Sequence, residues 1–167
     1  MVKRRSTRRS RKSHRRSYRR KSYKGGAPND ILRVMFGAQE ILPGVVLPQE
    51  TTELPFAYKI DANPNELFTV MVYDLNAVDP SYMHYMYVNV KNSDPATGNE
   101  IYSYEPAHPP PGTGRHEYVI AAGKQREFIQ PSVAPADRGG YEIDAVIDRM
   151  DFERIAKISF FVDAPNA

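Results

Sequence analysis

The chain of 167 residues contains no cysteine. That excludes a disulfide framework, a thiol nucleophile and any zinc site that depends on thiolates, and it fits a reducing compartment without fixing one. Apolar runs are short. None approaches the roughly 20 residues of a transmembrane helix, and the basic beginning is not followed by the apolar stretch of a secretory signal, so a chain not exported by a cleaved signal is expected. No internal repeat of useful length is present. The third scarcity is local: residues 1–24 contain no Asp or Glu.

Those 24 residues hold 13 of the 23 Lys and Arg, leaving 10 basic against 20 acidic residues in 25–167. The formal net charge of +3 is therefore the sum of +13 on a short arm and −10 on everything else. A uniformly basic protein is excluded. The arm places Lys3, Arg4, Arg5, Arg8, Arg9, Arg11, Lys12, Arg15, Arg16, Arg19, Arg20, Lys21 and Lys24 between single Ser, Thr, His or Tyr residues. With no apolar period and strong self-repulsion it is expected to be disordered in isolation. Fully extended, it reaches roughly 80 Å at about 3.3 Å per residue. Cations of this density neutralise phosphates and release counterions, so nucleic acid or an acidic assembly surface is the expected partner, with sequence-independent affinity. The other readings are a solvated tail and an import signal, for which Lys3-Arg4-Arg5 and Arg19-Arg20-Lys21 are suited. A polybasic arm also suits anionic membranes, but it lacks an apolar anchor. Phosphorylation at Ser6, Ser10, Ser13, Ser17 or Ser22 would cancel charge.

Residues 25–30 (Gly-Gly-Ala-Pro-Asn-Asp) read as a linker, and 31–167 as one domain large enough to bury a core. Short β-type runs punctuated by Pro and Gly predict strands at 31–36, 44–47, 56–60, 67–74, 83–92, 116–121, 126–129 and 155–163. Ile143, Val146, Ile147 and Met150 fall on one face at helical spacing and predict a helix over 141–150. A mostly β domain with one or two short helices follows. Strict alternation puts Phe68, Val70, Val72 and Asp74 on one face of their strand, and Tyr82, His84, Met86 and Val88 on one face of theirs. Both strands are apolar on their other face as well, which predicts central strands covered on both sides. The tyrosine-rich stretch 82–87 is read as core rather than as a platform for stacking bases, because a domain of net −10 repels phosphate backbones.

The stretch Pro109-Pro110-Pro111-Gly112-Thr113-Gly114-Arg115-His116-Glu117-Tyr118-Val119 reads as a stiff, irregular loop delivering His116 to the start of a strand. The proline run is read as a rigid pocket wall in preference to a polyproline ligand. Together with Asp74-Leu75-Asn76-Ala77-Val78 and with His84 ten residues after Asp74, this segment resembles the phosphatidylethanolamine-binding protein family, which includes the Raf kinase inhibitor proteins and plant flowering regulators. That family carries an Asp-Pro-Asp-Ala-Pro motif and a Pro-Pro-x-Gly-x-Gly-x-His-Arg-Tyr-Val motif.

The resemblance implies a β-fold of two packed sheets with a small anion pocket. It matches Asp74, His84, His116 and Tyr118 to the family's pocket residues, with Asn76, Pro110 and Gly112 completing the candidate ligand-binding set. Imidazoles that donate to an anion beside an orienting carboxylate make coherent chemistry without the family. The departures are Asn76 for the second Asp, Leu75 and Val78 for the prolines, and Glu117 where the family has Arg, which should weaken phosphate binding if Glu117 faces the pocket. His108 stands where a small residue is usual, where it would either narrow or re-arm the mouth, and is read as a loop residue in preference to a ligand contact. The chain stops at Ala167, so the C-terminal helix that closes the site in animal members is expected to be absent.

The leading expectation is a non-enzymatic structural component of a virion of a large DNA virus, or of another nucleoprotein particle, attached by its arm and docking other proteins. The alternative is a signalling module that binds a phosphate-bearing head group or phosphopeptide. No catalytic residue, cofactor or metal is expected, because the histidine–carboxylate set lacks a positioned nucleophile. The expected location is a virion or the nucleus and cytoplasm.

Overall fold

The computed structural model describes residues 32–78 and 81–167. The basic arm 1–24, the linker 25–30 and Ile31 lie outside the described residues.

Alternation builds the first layer. In β1 (Leu32–Phe36), Leu32, Val34 and Phe36 are buried while Arg33 is exposed, and β4 (Phe56–Ile60) likewise buries Tyr58 and Ile60. These strands pair antiparallel, and the short β2 (Gln39–Glu40) completes a three-stranded sheet in the order β2-β1-β4. The second sheet has six strands in the order β3-β9-β8-β5-β6-β7, comprising β3 (Val45–Leu47), β5 (Phe68–Asp74), β6 (Tyr82–Val90), β7 (Asn99–Tyr102), β8 (Arg115–Lys124) and β9 (Arg154–Asp163). All its pairings are antiparallel except β3 with β9.

The two sheets pack face to face over a core that includes Phe36, Tyr58, Val70, Val72, Tyr85, Tyr118, Ile120 and Phe160. The other face of the six-stranded sheet buries Met71, Tyr73, Met83, Met86 and Val88 beneath α2 (Ile143–Met150) and Phe152. Every residue of β5 is buried, as expected of a strand covered on both sides. A short helix, α1 (Gln49–Thr52), and a 3-10 turn at Pro95–Thr97 complete the elements.

Three details differ from the sequence reading. First, the strand predicted at 126–129 is absent. There the backbone is satisfied by side chains: Ile129 N donates to Asn89 Oδ1 at 2.9 Å, and the Gln125 amide donates to the Glu127 carbonyl at 3.1 Å. Second, β2, β7 and α1 were not anticipated; each is four residues or fewer, too short to show a period. Third, Tyr82, His84, Met86 and Val88 do not share a face. Pairing steps from Val72↔Tyr85 to Tyr73↔Met83, so His84 is an extra residue, and a second irregularity near Asn89 (φ 61°) restores the register at Phe68↔Val90. These β-bulges send Met86 and Val88 to the α2 side, while His84 and Tyr85 both turn toward the side of Tyr118 and Phe56, each with ring centroids 5.2 Å apart.

Candidate functional site

The C-terminal end of β5 and the beginning of β8 lie side by side, with Asp74 opposite Tyr118. That register brings His116 within reach of Asp74. His116 Nδ1 donates to Asp74 Oδ2 at 2.7 Å, and Asp74 Oδ1 accepts the Asn76 amide at 2.7 Å. The Tyr118 hydroxyl also bonds to Asp74; burial first, and then this carboxylate, hold the phenol protonated well above the ordinary tyrosine value. Asp74 is therefore an orienting acceptor.

On its far side His116 meets Thr113, with Nε2 and Thr113 Oγ1 2.8 Å apart, and the Thr113 hydroxyl donates to the Pro110 carbonyl at 2.7 Å. His116 is thus held at both ring nitrogens, between Asp74 and Thr113. The loop that carries Thr113 is stitched to the chain after β9: Gly112 N donates to Pro165 O at 2.9 Å and Ala164 N to Gly114 O at 2.8 Å. Gly112 (φ 78°) and Gly114 (φ 84°) adopt left-handed backbone that a side chain would strain.

His84 reaches the same cavity from the bulge in β6. Its Nδ1 donates to the Glu105 carbonyl at 2.9 Å, and its Nε2 has no hydrogen-bond partner among the described residues. Burial pushes this imidazole below the usual histidine value, outweighing the raising effects of the Glu105 bond and the Asp74 charge, so the neutral ring turns an acceptor nitrogen toward the cavity.

The cavity measures about 340 Å³ and is lined by Asp74, His84, His116 and Tyr118, with Glu105, His108, Pro109 and Pro110 in the wall. The proline run is indeed wall, anchored by buried Thr52, whose Oγ1 accepts the Ala107 amide at 3.0 Å and whose carbonyl accepts the Tyr104 hydroxyl at 3.0 Å. Arg138 braces the opposite edge through the Ser103 carbonyl at 2.9 Å and the carbonyls of Met83 and His84 at 3.3 Å each.

Of the residues expected at the site, Asp74, His84, Pro110, His116 and Tyr118 come together, whereas Asn76 and Gly112 do not line the cavity. Asn76 is exposed and accepts the Glu117 amide on Oδ1 at 2.8 Å, which ties the end of β5 to β8. Glu117 is not among the lining residues. Its carboxylate raises the pKa of Tyr73 on the other sheet face, so the expected clash with a pocket anion does not arise. His108 lines the cavity and pairs with Glu53 at 3.0 Å. Sequence reasoning missed Thr52, Thr113 and Arg138. Thr113 lay inside the motif; the other two act through backbone carbonyls or amides and leave no pattern.

The sequence model of the family described as phosphatidylethanolamine-binding protein matches residues 27–159. The chain belongs to that family. Among its curated relatives, the rice (Oryza sativa subsp. japonica) protein MOTHER of FT and TFL1 homolog 2 is 26% identical over 127 residues, covering 71% of this chain and 72% of its own. The Arabidopsis thaliana protein BROTHER of FT and TFL 1 is 28% identical over 132 residues, 71% of each chain.

The fold is shared with the carboxypeptidase Y inhibitor solved with its cognate proteinase, at TM-score 0.69 and 18% identity over 80% of this chain and 83% of that one. It is shared too with the phosphatidylethanolamine-binding protein from Plasmodium vivax, at TM-score 0.62 and 13% identity over 80% and 84%.

Proposed function

We propose that this member of the phosphatidylethanolamine-binding protein family is a non-enzymatic binding protein whose cavity takes a phosphate-bearing group, as in a head group or a phosphorylated peptide. The observation that carries the reading is the pairing of a fully oriented His116, held between Asp74 and Thr113, with an unpartnered His84 Nε2 in the same 340 Å³ space. A phosphate monoester that retains one proton can donate it to that nitrogen, or His84 can take up the proton and bind the dianion. Calorimetric titration with O-phosphoethanolamine and phosphoserine should give saturable heat that His84→Gln weakens at least tenfold. No saturable heat from the wild type overturns the reading.

The +13 arm favours a second, compatible role. It attaches the domain to nucleic acid or an acidic assembly surface, within a virion or another nucleoprotein particle. If most of its charges engage duplex DNA, the log–log salt slope is roughly −9 to −12, from about −0.9 per phosphate contact. Mobility shifts should be lost on deletion of residues 1–24; equal affinity with and without them contradicts the attachment.

A further inference from the structure

The charges around the histidine cavity run against a bare phosphate dianion. Its imidazoles are buried, His84 at 6% exposure and His116 at 1%, whereas the carboxylates beside them reach solvent. Glu105 lines the cavity with its side chain 48% exposed. Glu53, 56% exposed, holds the lining His108, and exposed Asp137 accepts the amide of the lining Gly139 at 2.8 Å. No Lys or Arg is among the described lining residues. Arg138, 3.5 Å from the Glu105 carboxylate, is spent on the carbonyls of Met83, His84 and Ser103. Buried imidazoles next to exposed carboxylates suit a phosphate that arrives with cations of its own.

The arm of the same chain carries such groups. Arg16-Ser17-Tyr18-Arg19 and Lys21-Ser22-Tyr23-Lys24 each set a serine hydroxyl between two cations with an aromatic residue beside it. Val78, 91% exposed, and Pro109 give the cavity an apolar wall suited to such a ring. Ser17 lies 15 residues before Leu32 and Ser22 10, which is about 50 Å and 33 Å of extended chain. From Leu32, β1 runs about 13 Å to Phe36. The Phe36 ring centroid is 6.1 Å from that of Tyr104, the neighbour of Glu105. The arm is therefore long enough to return to its own cavity.

We propose that the histidine cavity receives the arm of its own chain once Ser17 or Ser22 is phosphorylated, the phosphate at His84 and the flanking basic side chains at Glu53, Glu105 and Asp137. The modification is made by a serine kinase, which transfers the γ-phosphoryl group of ATP to the hydroxyl oxygen and releases ADP and a proton. Each phosphate removes about 1.5–2 charges from the arm, and docking withdraws the remaining cations from any polyanion. The inference rests on the phosphate reading of the cavity and names a ligand and a switch for it.

Side-chain ¹⁵N NMR of His84 in the full-length chain carrying phosphoserine at position 17 or 22 tests the docking. Without added ligand, Nε2 should show the shift that O-phosphoserine produces in the unmodified chain, and dilution should not change it. O-Phosphoserine should bind the modified chain at least about tenfold more weakly than the unmodified one, because it competes with a tethered phosphate at millimolar effective concentration. Arg16→Gln together with Arg19→Gln, changes confined to the arm, should reverse most of that loss in the chain phosphorylated at 17. Duplex DNA affinity should fall on phosphorylation and recover in part with His84→Gln, which charge cancellation alone would not produce. If O-phosphoserine shifts Nε2 in the unmodified chain but neither phosphorylated chain shows the shift unaided, or if the shift fades on dilution, docking of the arm is overturned while the phosphate reading stands. If no phosphate, free or attached, moves Nε2, the phosphate reading fails and the docking with it.

Discussion

Asp74 receives His116 Nδ1, the Asn76 amide and the Tyr118 hydroxyl at once, and it does so with its side chain 6% exposed and that of His116 1% exposed. Asp74→Asn replaces one acceptor oxygen of a buried hydrogen-bonded set by a donor, so it should lower stability by about 1–3 kcal/mol in urea unfolding, together with loss of phosphate binding. His84 makes the opposite kind of prediction. Its folded pKa lies below the unfolded value near 6.5, so between the two the unfolded chain binds more protons. Stability should therefore fall as the pH drops below about 6.5 and level off once the folded ring is charged, and His84→Gln should flatten that part of the profile. Phosphate affinity should run the other way, rising with acidity, because the anion favours the charged ring. At this scale the sequence was informative where a residue's type announces its chemistry: Asp74, His84 and His116 were found by motif and spacing. Asn76 was placed in the site by its position in the motif, but its amide oxygen is used to join two strand ends, a role its residue type does not reveal.

The elements were legible wherever a period is long enough to read. β1, β5, β9 and α2 follow directly from alternation or helical spacing, whereas the bulge at His84 is a property of how β6 pairs with β5 and has no signature within β6 itself. This matters to the site, since strict alternation would have grouped His84 with Met86 and Val88, now beneath α2. The absent strand at 126–129 has a similar cause, because Asn89 and Gln125 offer the backbone better partners than a neighbouring strand could. Gly123 on β8 gives an element-scale prediction. A Cβ there would meet the Phe152 ring at 2.5 Å, so Gly123→Ala must displace the aromatic residue that follows α2. Overpacking of this kind costs about 1–3 kcal/mol, and the loss should appear as a lower thermal midpoint with disturbed aromatic side-chain signals around Phe152.

For the whole molecule, the domain organisation implied by charge is a −10 region behind a +13 arm, and the family fold explains only the first of these. Opposite charges on one chain attract, so polyanion binding by the arm should compete with the protein's own acidic surface most strongly at low salt. Added salt would then weaken both contacts, and the measured slope should be shallower than the roughly −9 to −12 expected for a fully free arm. The general fold class was readable from short β-runs and one helix, and the two-sheet packing came from the family motifs. Closure of the pocket by Thr52, Thr113 and Arg138 was not readable, since it depends on backbone groups brought together from distant parts of the chain. The central claim is that the histidine pocket receives a phosphate group at His84. Side-chain ¹⁵N NMR of His84 during titration with inorganic phosphate tests it most directly: a saturable shift of Nε2 with an upward move of the ring's titration midpoint is predicted, and an Nε2 signal unchanged up to saturating phosphate would contradict it.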